Sequence, residues 1–407
     1  MSRRPRREDF PLPTTRSDLP IVDSHLFEDL IPPEAAFELT AGIRRHREPY
    51  VGITENGTPR PGLYRLNHAV ASPKTAALAA RTYLDGLAPH QRVVAALPMD
   101  APEWRLWTNA IPTWHPKGMR LERLADGDRD RALAVVESSL SPAGYAQVRA
   151  AMALNEHLGE LIDDHRDTLT EFAYWFTVFG TPSGDSPWGW QLMGHHVDLH
   201  CVFVGGQVVL APVFLGAEPT TGTGRFEGVT VFGDETEVAL TFRRTLDPDR
   251  EGEFLMGPSL RTEDLPPELA GPNGRQLAGA GSDNLVLPPE GIVGASLPAD
   301  QRDGLVELIR VYLDRLPLPQ AEHTLALVRE HFDETRFAWR GGHDDESAFY
   351  YRIHSPVLLV EYDNNPGVFL TNTEPARFHV HTIVRAPNGN DYGRDLLAQH
   401  YRLHHGG

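Results

Sequence analysis

Two apolar runs separated only by Gly205-Gly206 constrain this chain more than any other feature of its sequence. Gln191 to Val204 and Gln207 to Leu215 are rich in Val, Leu and Phe, and a Gly-Gly pair supplies the positive φ angles that a two-residue hairpin loop demands. A sheet must therefore lie at the centre of the fold. Ahead of the hairpin, the aromatic and β-branched run Tyr174 to Gly180 predicts another strand, closed by the turn cluster Thr181-Pro182-Ser183-Gly184. Near the C-terminus, Arg336 to Arg340, Ala348 to Ile353, Val357 to Asp363 and Phe378 to Arg385 predict four strands with short Gly, Pro and Asn connections, an antiparallel meander.

Helical patterning fills the space between. Ser72-Pro73 and Ser141-Pro142 are start signals, and Tyr145, Val148, Met152, Leu158 and Ile162 recur at helical spacing after the second of them. Further helices are expected over Glu235 to Leu246, Ala299 to Leu316, Ala321 to Phe332 and Asp395 to His404, and one opens at Pro32-Pro33-Glu34 with Ala36, Phe37, Leu39 and Ile43 on its apolar side. Strands on both sides of a helical block, without regular alternation, predict an α+β fold: a mainly antiparallel sheet built from the central hairpin and the C-terminal meander, flanked by helices. With 407 residues, 41% of them hydrophobic, the chain can bury a large core. Residues 1–70 read as an N-terminal arm and irregular segment, and residues 71–407 as a single α+β domain.

The formal net charge of −18 disfavours nucleic acid and anionic membranes as partners. Cys201 is the only cysteine, so no intrachain disulfide or thiolate cluster can form, and any metal must be held by His, Asp or Glu. The basic start Arg3-Arg4-Pro5-Arg6-Arg7 is not followed by an apolar stretch of export length, and no run is long enough to span a bilayer. A cytoplasmic location is the expectation. The oligomeric state stays open.

The chemistry-bearing residues are two histidine pairs. In Phe378-His379-Val380-His381, strand periodicity sends both imidazoles to one face, where they can chelate one ion. In Gly194-His195-His196-Val197-Asp198-Leu199-His200, read as continuous strand, alternation puts His196, Asp198 and His200 on one face and His195 on the other. A bulge at Gly194 would bring the pair together; otherwise one histidine is the ligand and the other supports it. Glu361 and Asp363 share a face of a neighbouring strand, and Glu361 is the candidate carboxylate ligand or general base. Imidazoles with a carboxylate suit zinc, iron or copper, so a divalent transition metal is the expected cofactor.

Around these pairs, Trp188, Trp190 and Glu218 fall near the same end of the sheet and are candidate contacts for a small organic substrate, with core packing the competing role of the tryptophans. Arg385 either clamps a substrate carboxylate or pairs with Asp391 in a structural ion pair, and both are carried as candidate catalytic residues. Phosphate loop, dinucleotide fingerprint, nucleophile elbow and His-Glu-x-x-His helix are missing.

Trp188-Gly189-Trp190-Gln191-x-x-Gly194-His195-His196, Pro212-x-Phe214-x-Gly216-Ala217-x-Pro219, Glu361-Tyr362-Asp363-Asn364, His379-x-His381 and Asn390-Asp391-Tyr392-Gly393 together resemble the bacterial and fungal family called domain of unknown function 3500, from about Ser72 to the C-terminus. The resemblance names no activity. It implies that the Gly-His-His and His-x-His elements belong to one recurring pattern, and it leaves His200 outside the site. The expectation from the residues is a metal-dependent enzyme acting on a small molecule, hydrolytic with zinc or oxidative with iron or copper; a non-catalytic small-ligand binder and metal-free acid–base catalysis by the same histidines are the alternatives.

Overall fold

The computed structural model describes residues 46, 48–67, 70, 72–109, 117–162, 168–270 and 275–404. The helix expected at Pro32-Pro33-Glu34 lies outside them. Among the described residues twelve strands form one open sheet: β1 (Ala96–Leu97), β2 (Met119–Arg120), β3 (Trp175–Gly180), β4 (Trp188–Gly194), β5 (Val197–Val204), β6 (Gln207–Ala217), β7 (Leu255–Gly257), β8 (Ile292–Val293), β9 (Arg336–Gly341), β10 (Phe349–Ser355), β11 (Leu358–Asn365) and β12 (Ala376–Arg385). Their order is β1-β3-β4-β5-β6-β12-β11-β10-β9-β7, with β2 on β3 and β8 on β9. Only β1 with β3 and β7 with β9 pair parallel; every other pair is antiparallel. The fold is α+β, as expected, and the seam that unites hairpin and meander is β6 against β12, with Gly216 opposite His381 and Phe214 opposite Ile383.

The expected long strand from Gln191 to Val204 is two strands. The chain turns at His195-His196 between β4 and β5, with Gly194 paired to Val197 and His196 at φ 63°. The sequence hides this turn because a left-handed residue is ordinarily Gly or Asn, and a histidine there costs roughly 1–2 kcal/mol. A bulge does occur in the hairpin, farther along. Leu199 pairs with Val213 and Cys201 with Leu210, so His200 alone faces Ala211 and Pro212. Proline offers no N–H to a ladder, and the extra residue lets it sit in a central strand, where the Pro212 carbonyl accepts from His200 Nδ1 at 2.9 Å.

Register sorts the side chains onto two faces. One face carries Trp190, Leu199, Leu215, Tyr362 and Tyr351 and is covered by helices: Ser139 at the end of Asp126–Ser139 accepts from Trp190 Nε1 at 2.9 Å, Thr236 of Gly233–Thr245 meets the Tyr362 hydroxyl at 2.8 Å, and Tyr312 of Ala299–Leu313 meets the Tyr351 hydroxyl. Stacked Trp339, Phe349, Tyr351 and Tyr362 fill that layer. The other face is polar although buried. It carries Asp198, His200, Glu361, Asp363, His381 and Arg385, each at most 6% exposed, and is roofed by segments around Trp107, Arg275 to Asp283 and Tyr392. Residues 48–67 pack onto this body as well, with Ile53 and Leu63 in the core. Among the described residues no helix is long and apolar enough to cross a membrane.

Candidate metal centre

Three imidazoles converge at the edge of the β6–β12 seam. His379 and His381 arrive from β12, two residues apart on one face, and His196 arrives from the β4–β5 turn. His379 Nε2 lies 3.1 Å from His381 Nε2, and His381 Nε2 lies 3.2 Å from His196 Nε2. One nitrogen from each of the three rings falls within 4.8 Å of the others, and all three residues are buried. The triad can hold a metal ion.

The turn is braced so that His196 points inward. Tyr174 Oη donates to the His195 carbonyl at 3.0 Å, and the Gly216 N–H donates to the His196 carbonyl at 2.8 Å. Left-handed backbone at a non-glycine residue, held by such bonds, is the kind of local strain that concentrates at functional positions. Gly216 makes room for the rings: a Cβ there would stand 2.9 Å from His381 Cδ2 and 3.0 Å from His196 Cδ2.

His195 is not one of the three converging rings. It stacks on His196, with centroids 3.8 Å apart and planes at 25°, and its Nδ1 meets Asn155 Oδ1 at 2.7 Å. Asn155 Nδ2 donates to the Thr170 carbonyl at 2.9 Å, which fixes the amide's orientation. His195 Nδ1 is therefore the donor, and a neutral His195 keeps its lone pair on Nε2. Nothing in the sequence pointed to Asn155, a polar residue on an otherwise apolar helix face.

Two carboxylates stand behind the triad. Glu218 Oε1 is 3.8 Å from His379 Nδ1 and accepts from the amides of Val368 and Leu370, while Oε2 is buried without a partner among the described residues. His379 Nδ1 itself donates to the Pro366 carbonyl at 2.7 Å. Asp363 Oδ1 is 3.9 Å from His381 Nδ1, and Asp363 Oδ2 accepts from the Arg275 amide. Burial pushes the Asp363 carboxyl up to about 7, against the pull of the Arg275 amide and side chain. Burial also holds His196 and His381 well below the usual histidine range, and the neighbouring imidazoles push them down further. Both rings are thus neutral at pH 7, as metal ligation requires.

The remaining candidates are engaged elsewhere. Glu361 shares the triad's face but accepts from the amides of Leu277 and Ala278, the latter at 2.7 Å, and from Tyr350 Oη at 2.6 Å; it fastens the roof. Arg385 sits four residues along β12 from His381, roughly 13 Å by strand rise. Its Nε meets Asp391 Oδ2 at 2.8 Å, its Nη2 meets Asp283 Oδ1 at 2.7 Å and its Nη1 donates to the Ala278 carbonyl at 2.7 Å, an arrangement of the ion-pair kind with Asp391. Burial pushes the Asp391 carboxyl up to about 6, and Arg385 opposes that rise. Trp188 stacks on Phe203 at 4.6 Å and Trp190 bonds Ser139, both on the helix-covered face and fully buried. His200 lies farther along the polar face, edge-on to Trp107 and Tyr392.

A family model described as "Protein of unknown function (DUF3500)" matches residues 70–394. The chain belongs to this family. The matched span contains all three converging histidines together with His195, Gly216, Glu218 and Asp363, so the centre lies wholly within the DUF3500 region. No curated protein and no solved structure matches the chain.

Proposed function

We propose that this DUF3500 protein is a metal-dependent enzyme in which His196, His379 and His381 hold one divalent transition ion, zinc first among them, and that the bound ion activates water to attack a small organic substrate. The observation that carries this reading is the convergence of three buried imidazole nitrogens, one from each ring, with His196 delivered by a turn at positive φ. Three nitrogen ligands leave a fourth, open position, as catalytic zinc sites do. Zinc so held would lower the pKa of a bound water to about 7 and supply a nucleophile at neutral pH. Among the described residues no carboxylate oxygen joins the three nitrogens within 4.8 Å, which disfavours the two-histidine, one-carboxylate iron sites of oxygenases. Glu218 and Asp363 behind the rings offset the ion's charge in a low-dielectric interior.

Metal analysis of protein purified without a histidine tag tests this. Zinc near one per chain, lost in His379→Ala, is the expected result. Copper or iron at that stoichiometry with oxygen uptake would replace hydrolysis by oxidation. A chain that takes up none of the three metals refutes the reading. A metal-loaded chain in which His379→Ala changes only ligand binding, with no turnover to lose, would make it a binding protein.

A further inference from the structure

The outer partners of the triad fix where its hydrogens sit. The Pro366 carbonyl can only accept, so His379 Nδ1, 2.7 Å away, carries the hydrogen and a neutral His379 presents a bare Nε2. From the other side, Arg275 Nη1 can only donate, which turns Asn365 Oδ1 toward it at 3.4 Å and Asn365 Nδ2 toward His381 Nδ1 at 3.1 Å. His381 Nδ1 must then accept, and its hydrogen is on Nε2. Both lines of reasoning agree on the contact between them, where His381 Nε2 donates to His379 Nε2 at 3.1 Å.

An ion at the triad needs the Nε2 lone pair of every ring. His381 must then carry its hydrogen on Nδ1, where it meets the Asn365 Nδ2 donor head-on. Rotating the Asn365 amide moves the conflict to Arg275 Nη1 without removing it. One other acceptor is at hand. Asp363 is the cross-strand partner of His381 in the β11–β12 register, and its Oδ1, 3.9 Å from His381 Nδ1, is buried with no hydrogen-bond partner among the described residues. The Asn365 side chain approaches the Asp363 carboxyl group as well, but it does not meet hydrogen-bond geometry at Oδ1. Closing the gap to a charge-assisted hydrogen bond of about 2.8 Å takes a movement of roughly 1 Å.

We propose that Asp363 is the positioning residue of the centre: metal binding transfers the His381 Nδ1 contact from the Asn365 amide to the Asp363 carboxylate. The inference rests on the metal-binding reading above and adds to it which residue orients the ligand and which one competes. Asn365 holds the ring in the form that cannot ligate, and Asp363 holds it in the form that does. Arg275, bonded through its backbone to Asp363 and through its side chain to Asn365, links the exchange to the roof segment.

The test is zinc affinity of the full chain, measured by competition with a chromophoric chelator, for wild type, Asp363→Asn and Asn365→Ala. Asp363→Asn is expected to bind zinc about 10- to 100-fold more weakly, and Asn365→Ala as tightly as wild type or more so. Nitrogen-15 spectra of the zinc-loaded wild type are expected to show the His381 hydrogen on Nδ1, a readout that general loosening of the fold would not produce. Wild type that binds zinc while Asp363→Asn stays within about twofold of it overturns this inference and leaves the metal reading standing. Wild type that binds neither zinc, copper nor iron overturns both. Should Asp363→Asn fail to fold, Asn365→Ala decides: a loss of about tenfold or more there overturns the proposal.

Discussion

Gly216→Ala puts a single methyl group between two of the three ligands and touches nothing else in the proposed chemistry. The backbone at Gly216 is ordinary strand, paired with His381 across the β6–β12 seam, so alanine meets no conformational penalty there. The new Cβ would lie 2.9 Å from His381 Cδ2, 2.9 Å from the Val380 carbonyl and 3.0 Å from His196 Cδ2. Carbon atoms rest at about 3.5–4.0 Å, so each ring must retreat by roughly 0.5–1 Å. Metal–nitrogen distances tolerate only about ±0.2 Å. Both rings are already packed, His196 against His195 and His381 against Phe214. We expect metal affinity to fall by about 10- to 100-fold, some 1.4–2.7 kcal/mol, with an overpacking cost of about 1–3 kcal/mol in stability. Gly189→Ala is the control. Its Cβ would meet the Cys201 carbonyl at 2.4 Å and Trp104 Cη2 at 2.9 Å, a comparable clash on β4 away from the triad, so it should destabilise without weakening metal binding. Calorimetric or chelator-competition titration, with urea unfolding alongside, reads both quantities. A folded Gly216→Ala protein that binds metal as wild type does, or a Gly189→Ala protein that loses as much affinity, refutes the reasoning.

Two further outcomes follow from the buried polar face. Burial, helped by Arg352 and Arg336, lowers His354 to about 4 from its ordinary 6.5; below pH 6.5 the unfolded chain binds a proton that the native chain refuses. This histidine's stabilising contribution is therefore complete above 6.5 and is lost down to about 4, at up to about 1.4 kcal/mol per pH unit. His354→Gln should remove that slope, and urea midpoints that fall equally in wild type and variant between pH 6.5 and 4.5 would contradict it. Arg385→Met should destabilise by about 3–5 kcal/mol, because it strands Asp391 as a buried charge without its cation, whereas Asp283 keeps Arg105 at 2.7 Å. Metal affinity of its folded fraction should stay at the wild-type value, and a parallel loss of affinity would return Arg385 to the site.

The readable parts of this fold were those whose signal is local and periodic. Gly205-Gly206 announces its turn because glycine takes positive φ cheaply, and His379-x-His381 announces a shared face because strand side chains alternate. His195-His196 makes a turn of the same length, but with a residue that ordinarily avoids left-handed backbone, so alternation runs the strand straight through it and, unless Gly194 bulges, puts its histidines on opposite faces. Alternation also could not say which face of β4 meets helices. Trp188 and Trp190 look like pocket walls from their place beside the histidines, yet register puts them on the far side of the sheet, where Trp190 bonds Ser139.

The polar residues of the buried face divide by how completely they satisfy one another, which no sequence pattern records. Arg385 distributes its donors over Asp391, Asp283 and the Ala278 carbonyl, and Glu361 collects two amides and a tyrosine hydroxyl; these clusters close on themselves and hold the roof to the sheet. Around the triad the accounting does not close. His381 has one hydrogen for the two Nε2 atoms it faces, and among the described residues the carboxylates behind the rings each leave one oxygen unbonded, Asp363 Oδ1 and Glu218 Oε2. Excess acceptors in a buried cluster are what a cation corrects: it takes three lone pairs at once and frees hydrogens to turn toward the anions behind. That imbalance adds to the proximity of the three histidines in support of the metal-binding proposal.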